Sequence, residues 1–156
     1  MAGSNHDFIV LNKTEYDYSS YREFLSPNKE CFEVDDFIYN YILDTTKNIA
    51  VYYPSPKIYA EGLNTYGTTI IEKEGAIVFH NILSGWIQIF SSINKECITL
   101  TGEFYSEYDE NDNLIKEEYE TKEYKTKELV KVFDMLRRMC QKVIDSEEYY
   151  LLHCGI

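Results

Sequence analysis

The strongest constraint on the fold is an amphipathic segment that runs from Lys127 to Asp145. Its apolar residues recur every three or four positions, the spacing that puts them on one face of an α-helix. These residues are Leu129, Val132, Phe133, Leu136, Met139, Cys140, Val143 and Ile144. Thr126 is predicted to cap this helix at its start. A helix with one long apolar face must pack against a second layer, so the rest of the chain has to supply that layer.

The residues before this helix show the alternating pattern of β-strands. Apolar and polar residues alternate from Cys97 to Tyr108, which predicts a strand with one apolar face. The polar cluster Asp109–Asn113 predicts a turn, after which Leu114–Tyr124 is expected to return antiparallel. Shorter strands are predicted at Phe8–Leu11, Ile49–Tyr53, Thr68–Lys73 and Tyr149–Cys154.

The apolar run over residues 76–90 has two interpretations. It is predicted as two strands, Ala76–Leu83 and Trp86–Ser91, joined by a turn at Ser84 and Gly85. Apolar residues would then lie on both faces, as they do in central strands that are covered on both sides. A buried helix is the alternative, and periodicity alone does not exclude it.

The predicted elements define the fold class. A helix is predicted from Val34 to Lys47, with Asp35 and Asp36 in its first turn, and one or two helical turns are predicted over residues 20–25. The order of elements predicts an α+β fold: an antiparallel β-meander sheet with helices packed on one face and a long C-terminal amphipathic helix. The length of 156 residues and the absence of a linker-like segment predict a single domain over residues 1–156.

Charge restricts the class of partner. The chain carries 27 acidic and 15 basic residues, for a net charge of −12. Nucleic acid is not expected as a direct ligand, because phosphate binding requires a basic surface. An anionic membrane surface would repel the chain, and polar residues interrupt its longest apolar stretch, so no membrane association is expected. A basic protein is the electrostatic complement.

The four cysteines show neither paired spacing nor zinc-ligand spacing. The first residues lack the basic and apolar regions of a signal peptide. These two features predict reduced, buried thiols and a cytoplasmic protein.

A search for catalytic motifs finds no nucleophile elbow, phosphate-binding loop or dinucleotide-binding glycine pattern. His6 is expected in a mobile terminus, and His80 is expected to be a hydrogen-bonded core residue. His153 and Cys154 are neighbours on a predicted strand, so they should point to opposite faces and not form a dyad. The Asp109–Asn113 cluster lacks the glycine of a calcium loop. Neither enzymatic activity nor a metal or cofactor is predicted.

The hairpin over residues 103–123 concentrates negative charge. It holds nine acidic residues against two lysines, with three tyrosines interleaved and a fourth, Tyr124, directly after it. We predict that it binds a partner through Glu103, Tyr105, Glu107, Tyr108, Asp109, Glu110, Asp112, Glu117, Glu118 and Glu120. Two other interpretations remain: the acids keep the sheet surface soluble and block edge pairing, or the basic residues of the last helix balance them.

With this hairpin and its overall charge, the chain resembles the bacterial immunity proteins of contact-dependent growth inhibition and other polymorphic toxin systems. The resemblance implies a cognate partner, a basic toxin domain such as a nuclease, which an acidic face would cover. Two other classes are open. One is a nucleic-acid mimic of the anti-restriction or anti-CRISPR type, with acids spaced like phosphates. The other is a small-molecule-binding domain, or an enzyme, with a cleft that holds His80.

Overall fold

The computed structural model describes residues 5–14 and 31–156, which form eight strands and three helices in two sheets and a helical layer. The elements are, in chain order, β1 (Asn5–Asn12), β2 (Cys31–Asp35), α1 (Asp36–Thr46), β3 (Ala50–Tyr53), β4 (Ile58–Glu61), β5 (Thr68–Ile71), α2 (Lys73–Ser91), β6 (Cys97–Tyr108), β7 (Leu114–Lys125), α3 (Thr126–Asp145) and β8 (Tyr149–Cys154). The predicted α+β class is therefore confirmed.

The main sheet has six strands in the order β2-β1-β8-β5-β3-β4, and every neighbouring pair is antiparallel. The strand β8 enters between β1 and β5, although it is the last strand of the chain. Strands β6 and β7 pair only with each other, in a separate two-stranded sheet. The predicted continuous meander is therefore wrong, although the antiparallel pairing is confirmed.

Alternation along the strands divides the apolar residues between the two faces of the main sheet. Phe8 and Leu151 face the helices and pack in one cluster with buried residues of all three, such as Phe79 and Phe133. Full burial of one such side chain stabilises the fold by roughly 1.5–3 kcal/mol. A second buried cluster consists of Ile9, Leu11, Ile70, Tyr150, Leu152 and Cys154. This second cluster contains no residue of α1, α2 or α3, so the helices pack on one face, as predicted.

Helix α2 corrects the predicted strands Ala76–Leu83 and Trp86–Ser91. Residues 73–91 form one continuous helix, and the expected turn at Ser84 and Gly85 lies inside it. The buried residues are spaced for a helix: Ala76, Phe79, Leu83 and Phe90 pack into the core, with Gly75 beside them. Polar residues that interrupt the apolar run, including Asn81 and Gln88, fall on the exposed side. The alternative of a buried helix is therefore the right one, although one side of α2 is exposed.

The ends of the other two helices also differ from prediction. Helix α1 begins after Asp35, whose carboxylate accepts a hydrogen bond from the amide of Phe37 at 2.9 Å, and Val34 belongs to β2. Helix α3 confirms the predicted segment, but Thr126 does not cap it. Thr126 is the first helical residue, and its hydroxyl donates to the carbonyl of Lys95 at 2.7 Å.

The remaining predicted strands are confirmed, with small shifts at their ends. The helical turns predicted over residues 20–25 lie outside the described residues. In the part of the chain that the structure describes, none of the helices combines the length and apolar character needed to cross a membrane.

Candidate functional site

The base of the β6–β7 hairpin is seated on α1. Leu100 of β6 is buried, and the ring of Phe37 lies 6.3 Å from the ring of Tyr124, measured between centroids. Phe37 also packs against Gly102, where an added Cβ would come within 2.8 Å of its ring. Any larger residue would require the Phe37 ring to shift, so Gly102 lets the hairpin approach the helix closely.

Asp35 links α1 to the hairpin. In addition to capping α1, its carboxylate accepts a hydrogen bond from the Tyr124 hydroxyl at 3.0 Å and pairs with the ammonium of Lys122. Burial opposes ionisation of Asp35, but the hydrogen bonds from Lys122 and Tyr124 hold its pKa below the ordinary value. Burial and the neighbouring Asp35 raise the pKa of Tyr124 to about 12. Lys122 is therefore paired with the residue that caps α1.

Residues 103–120, here called the acidic arm, stand clear of the rest of the described chain. Every side-chain hydrogen bond, ion pair and ring contact that the acidic arm makes in this part of the chain stays within the arm. At its tip, Asp109 accepts hydrogen bonds from the amides of Asn111 at 2.8 Å and Asn113 at 2.9 Å. The hydrogen bonds from Asn113 and Asn111 lower the pKa of Asp109. The predicted turn is thus confirmed.

A β-bulge between Thr101 and Phe104 changes which side chains share a face. Below the bulge, Leu100 pairs with Lys122 on the side of α1; above it, Phe104 pairs with Tyr119 on the outer side. Phe104 and Tyr119 meet edge to face with ring centroids 5.1 Å apart, yet they are 52% and 59% exposed. The alternation of the sequence predicted that Phe104 shares one apolar face with Leu100, but the bulge turns Phe104 to the outer side, where Tyr119 lies.

The structure places all ten predicted partner-binding residues on the acidic arm. Tyr105, Glu107, Glu118 and Glu120 share one face by their register; Glu117 lies on the other; Glu103 is in the bulge; and Tyr108, Asp109, Glu110 and Asp112 surround the tip. The Tyr105 hydroxyl donates to Glu118, which also pairs with Lys116. Lys116 and Tyr105 together lower the pKa of the Glu118 carboxyl. The exposed apolar residues Phe104, Leu114, Ile115 and Tyr119 were missed as binding candidates.

Negative charge continues from the acidic arm into a cleft beside α1. The acidic arm holds eight acidic residues and one lysine, Lys116. A cavity of about 770 Å³ lies between its base and α1, and its charged lining residues are five acids, Asp35, Asp36, Asp44, Glu103 and Glu120, and one lysine, Lys122. This arrangement suits a cationic side chain better than an anion.

A buried chain of hydrogen bonds beside this cleft escaped the sequence prediction. His6 and His153 are both fully buried, with His6 Nδ1 3.0 Å from His153 Nε2. His6 Nε2 lies 2.9 Å from Asp36 Oδ1, and His153 Nδ1 lies 3.5 Å from Thr69 Oγ1. The ring of Tyr39 stacks on His6 at 3.5 Å between centroids. His6 is therefore not in a mobile terminus, as predicted, but in the core.

The chain of hydrogen bonds fixes the tautomers. Asp36 only accepts, so His6 carries its hydrogen on Nε2 and accepts at Nδ1 from the Nε2–H of His153. His153 Nδ1 then accepts from the Thr69 hydroxyl, whose oxygen accepts from the amide of Asn64 at 2.9 Å. Burial lowers the pKa of His6 despite the opposing Asp36, and burial and His6 lower the pKa of His153 to about 3. Both rings are thus held neutral.

The other residues singled out in the sequence do not assemble into a reactive centre. His153 and Cys154 point to opposite faces, as predicted, and His80 is a half-buried residue of α2. All four cysteines are free; Cys140 and Cys154 are buried, but Cys31 is exposed, so the prediction of buried thiols is wrong there. Within residues 5–14 and 31–156 no three potential metal ligands come together.

Comparisons of the chain with models of protein families, with curated protein sequences and with solved structures found no match.

A second cavity bears on the small-molecule alternative. It measures about 940 Å³ and lies where the end of α2 meets the start of α3, with Phe90, Ile93 and Val130 among its apolar walls and lysines at its rim. His80 does not line it. The small-molecule alternative expected a cleft between the sheet and a helix that holds His80 and a carboxylate with a shifted pKa. This cavity is not that cleft.

Proposed function

We propose that this chain is a cytoplasmic, non-enzymatic immunity protein that binds and neutralises a basic bacterial toxin domain, such as a nuclease, through the acidic arm. The observation that carries the proposal is the position of residues 103–120: they project from the fold and form their polar contacts among themselves. A surface that does not serve the packing of its own chain is available to a partner.

The charges of the acidic arm favour fast association. Eight carboxylates face one lysine there, and Lys122, just below, is paired with Asp35. A basic partner would be attracted over a distance of about 10 Å at physiological salt. The field would guide encounter more than it would hold the complex, because exposed charge pairs contribute about 1 kcal/mol or less each.

The exposed apolar residues favour a long-lived complex. Phe104 and Tyr119 lie on the outer side of the acidic arm, Ile115 lies at a second register shift nearer the tip, and each of the three is more than half exposed. Large side chains of this kind dominate interface energies when a partner covers them. A surface that only mimicked the phosphates of nucleic acid would not need them, so the immunity function is favoured over the nucleic-acid mimic.

The shape of the acidic arm suits the groove of a nuclease. About half of each 12-residue strand lies in the acidic arm, which therefore extends over roughly 20 Å, and two paired strands lie only about 5 Å apart. A groove that binds nucleic acid is lined with basic side chains. A narrow acidic hairpin can enter such a groove and place carboxylates where phosphates would bind.

The test is charge reversal in the acidic arm with a matched control. Replacing Glu107, Asp109, Glu110 and Glu118 by Lys is compared with reversing four exposed acids elsewhere: Glu61, Glu96, Asp145 and Glu148. Both variants change the net charge equally. Stopped-flow kinetics against the product of a neighbouring toxin-like gene should show slower association and a weaker salt dependence for the first variant alone.

One further variant tests the apolar side. Phe104→Ala should raise the dissociation rate about tenfold while leaving the association rate nearly unchanged.

Two outcomes of the charge reversal would contradict the proposal. If the reversed acidic arm folds and still binds with unchanged association rate and salt dependence, the arm only solubilises the surface. If both reversals slow association equally, overall charge is responsible and the proposal fails.

A further inference from the structure

Helix α2 has an exposed side that carries no charge. The helix contains no Asp, Glu, Lys or Arg from Gly75 to Ser91, in a chain where 27% of residues are charged. Its exposed stripe consists of Ile77, Val78, Asn81, Gly85, Gln88 and Ile89. These positions are spaced by three and four residues and lie opposite the buried face. Solvent-exposed helix faces are normally charged, so packing within the described residues 5–14 and 31–156 does not explain this stripe.

Gly85 at the centre of this stripe supports that view. An added Cβ there would meet nothing within 4 Å, and its backbone is ordinary α-helix, so the packing of the chain does not require glycine. Glycine is a poorer helix former than alanine because it loses more backbone freedom on folding. A missing Cβ does allow a second helix to approach closely, since the distance between helix axes depends on the side chains at the contact.

The stripe is complementary to itself. When two α2 helices cross antiparallel about a two-fold axis near residue 83, Ile77 of one copy lies opposite Ile89 of the other. Asn81 then lies opposite Gly85 in both halves of the interface, which gives its amide room to reach the backbone of the second helix. Such a contact is isologous, as in most homodimers, because each copy presents the same patch.

Charge selects a second copy as the occupant. At a net charge of −12, two copies repel each other at nearly every surface except an uncharged one. A basic protein would be drawn to the acidic arm rather than to this stripe. We propose that α2 forms the interface of a weak homodimer, independently of the function of the acidic arm. A single helix-to-helix contact buries less than the roughly 1,000 Å² of a stable interface, so dissociation in the micromolar range is expected.

Analytical ultracentrifugation of the full chain tests this assembly. Between about 5 µM and about 500 µM, the average mass should rise from 18.4 kDa towards twice that value. Gly85→Ala should raise the melting temperature, because helix propensity improves and its Cβ meets open space, yet weaken dimerisation about tenfold. Ile89→Lys should abolish dimerisation, whereas Ile115→Lys on the acidic arm is the control that should not.

Gly85→Ala is expected to raise the melting temperature and to lower the dimerisation affinity. A glycine needed only for the fold would not show both effects, so the pair of measurements distinguishes an interface residue from a structural one. A chain that stays at 18.4 kDa over the whole range overturns the proposal. It is also overturned if the chain dimerises but Gly85→Ala does not weaken that dimer, because the interface then lies elsewhere. The Gly85→Ala result stands even if Ile89→Lys fails to fold.

Discussion

Acidification should destabilise the fold through the buried His6–His153 pair. Both rings are neutral and donate in a single direction, towards Asp36. A second proton on His6 would force His153 to move its hydrogen to Nδ1, facing the Thr69 hydroxyl that now donates to it. The charged and titratable groups nearest the pair are Asp36 and Tyr39 on α1 and Asp7 on β1, and they do not replace lost hydration.

The magnitude follows from proton linkage. The pKa of His153 is lowered from 6.5 to about 3, so below pH 6.5 the unfolded chain binds more protons than the folded one. The contribution is fully present above pH 6.5 and is lost as pH falls towards 3. The loss is about 1.4 kcal/mol per pH unit for one group, or about 2 kcal/mol at pH 5. For a domain of this size that corresponds to roughly 4–8 °C in melting temperature.

The assay is urea unfolding of the wild type and His153→Gln at pH 7.5 and pH 5. Taking the difference between the two proteins cancels the contribution of groups that do not touch the pair. The stability advantage of the wild type should shrink by about 2 kcal/mol between the two pH values. His80→Gln, which removes a histidine outside the pair, is the control. A wild-type advantage that is equal at both pH values would refute the reasoning.

Two further predictions concern the contacts of Asp35 with the hairpin and the burial pattern of α2. Asp35→Asn should lower the free energy of unfolding by about 1–2 kcal/mol, because it weakens the cap of α1 and the contacts with Lys122 and Tyr124. It should also accelerate hydrogen exchange at the base of the hairpin. The control Asp44→Asn, at an exposed position of α1, should have neither effect. Leu83→Ala should cost about 2–5 kcal/mol in urea unfolding, while Ile89→Ala, measured on dilute monomer, should stay within about 1 kcal/mol; equal losses would contradict the burial pattern of α2.

Segments with clear contrast between their two faces could be predicted from the sequence. The alternation in β6 and the stripe in α3 both place polar or charged residues opposite apolar ones, so each pattern is compatible with only one type of secondary structure. In α2 that contrast is missing, because its exposed side carries Ile77, Val78 and Ile89 where charges are usual. With apolar residues all round, residues 76–90 matched covered strands as well as a helix.

The candidate site was only partly predictable. The acid-rich hairpin is a local feature of the sequence, and its residues are where they were expected. The outward turn of Phe104 depends on a β-bulge, for which the isolated Gly102 in the strand pattern was the one signal in the sequence. The His6–His153 contact joins residues 147 positions apart and exists only because β8 pairs with β1. Such contacts depend on strand order, which periodicity does not determine.

The position of β8 has a consequence for biosynthesis. Strands β1 and β5 are translated early, but the strand that joins them is the last to leave the ribosome. Until residues 149–154 arrive, both strands have an unpaired edge that invites pairing with other chains. Closing the sheet forms contacts between residues that are far apart in the sequence, and forming such contacts slows folding. The nascent chain therefore completes its core only after residues 149–154 have left the ribosome, and until then it depends most on protection from aggregation.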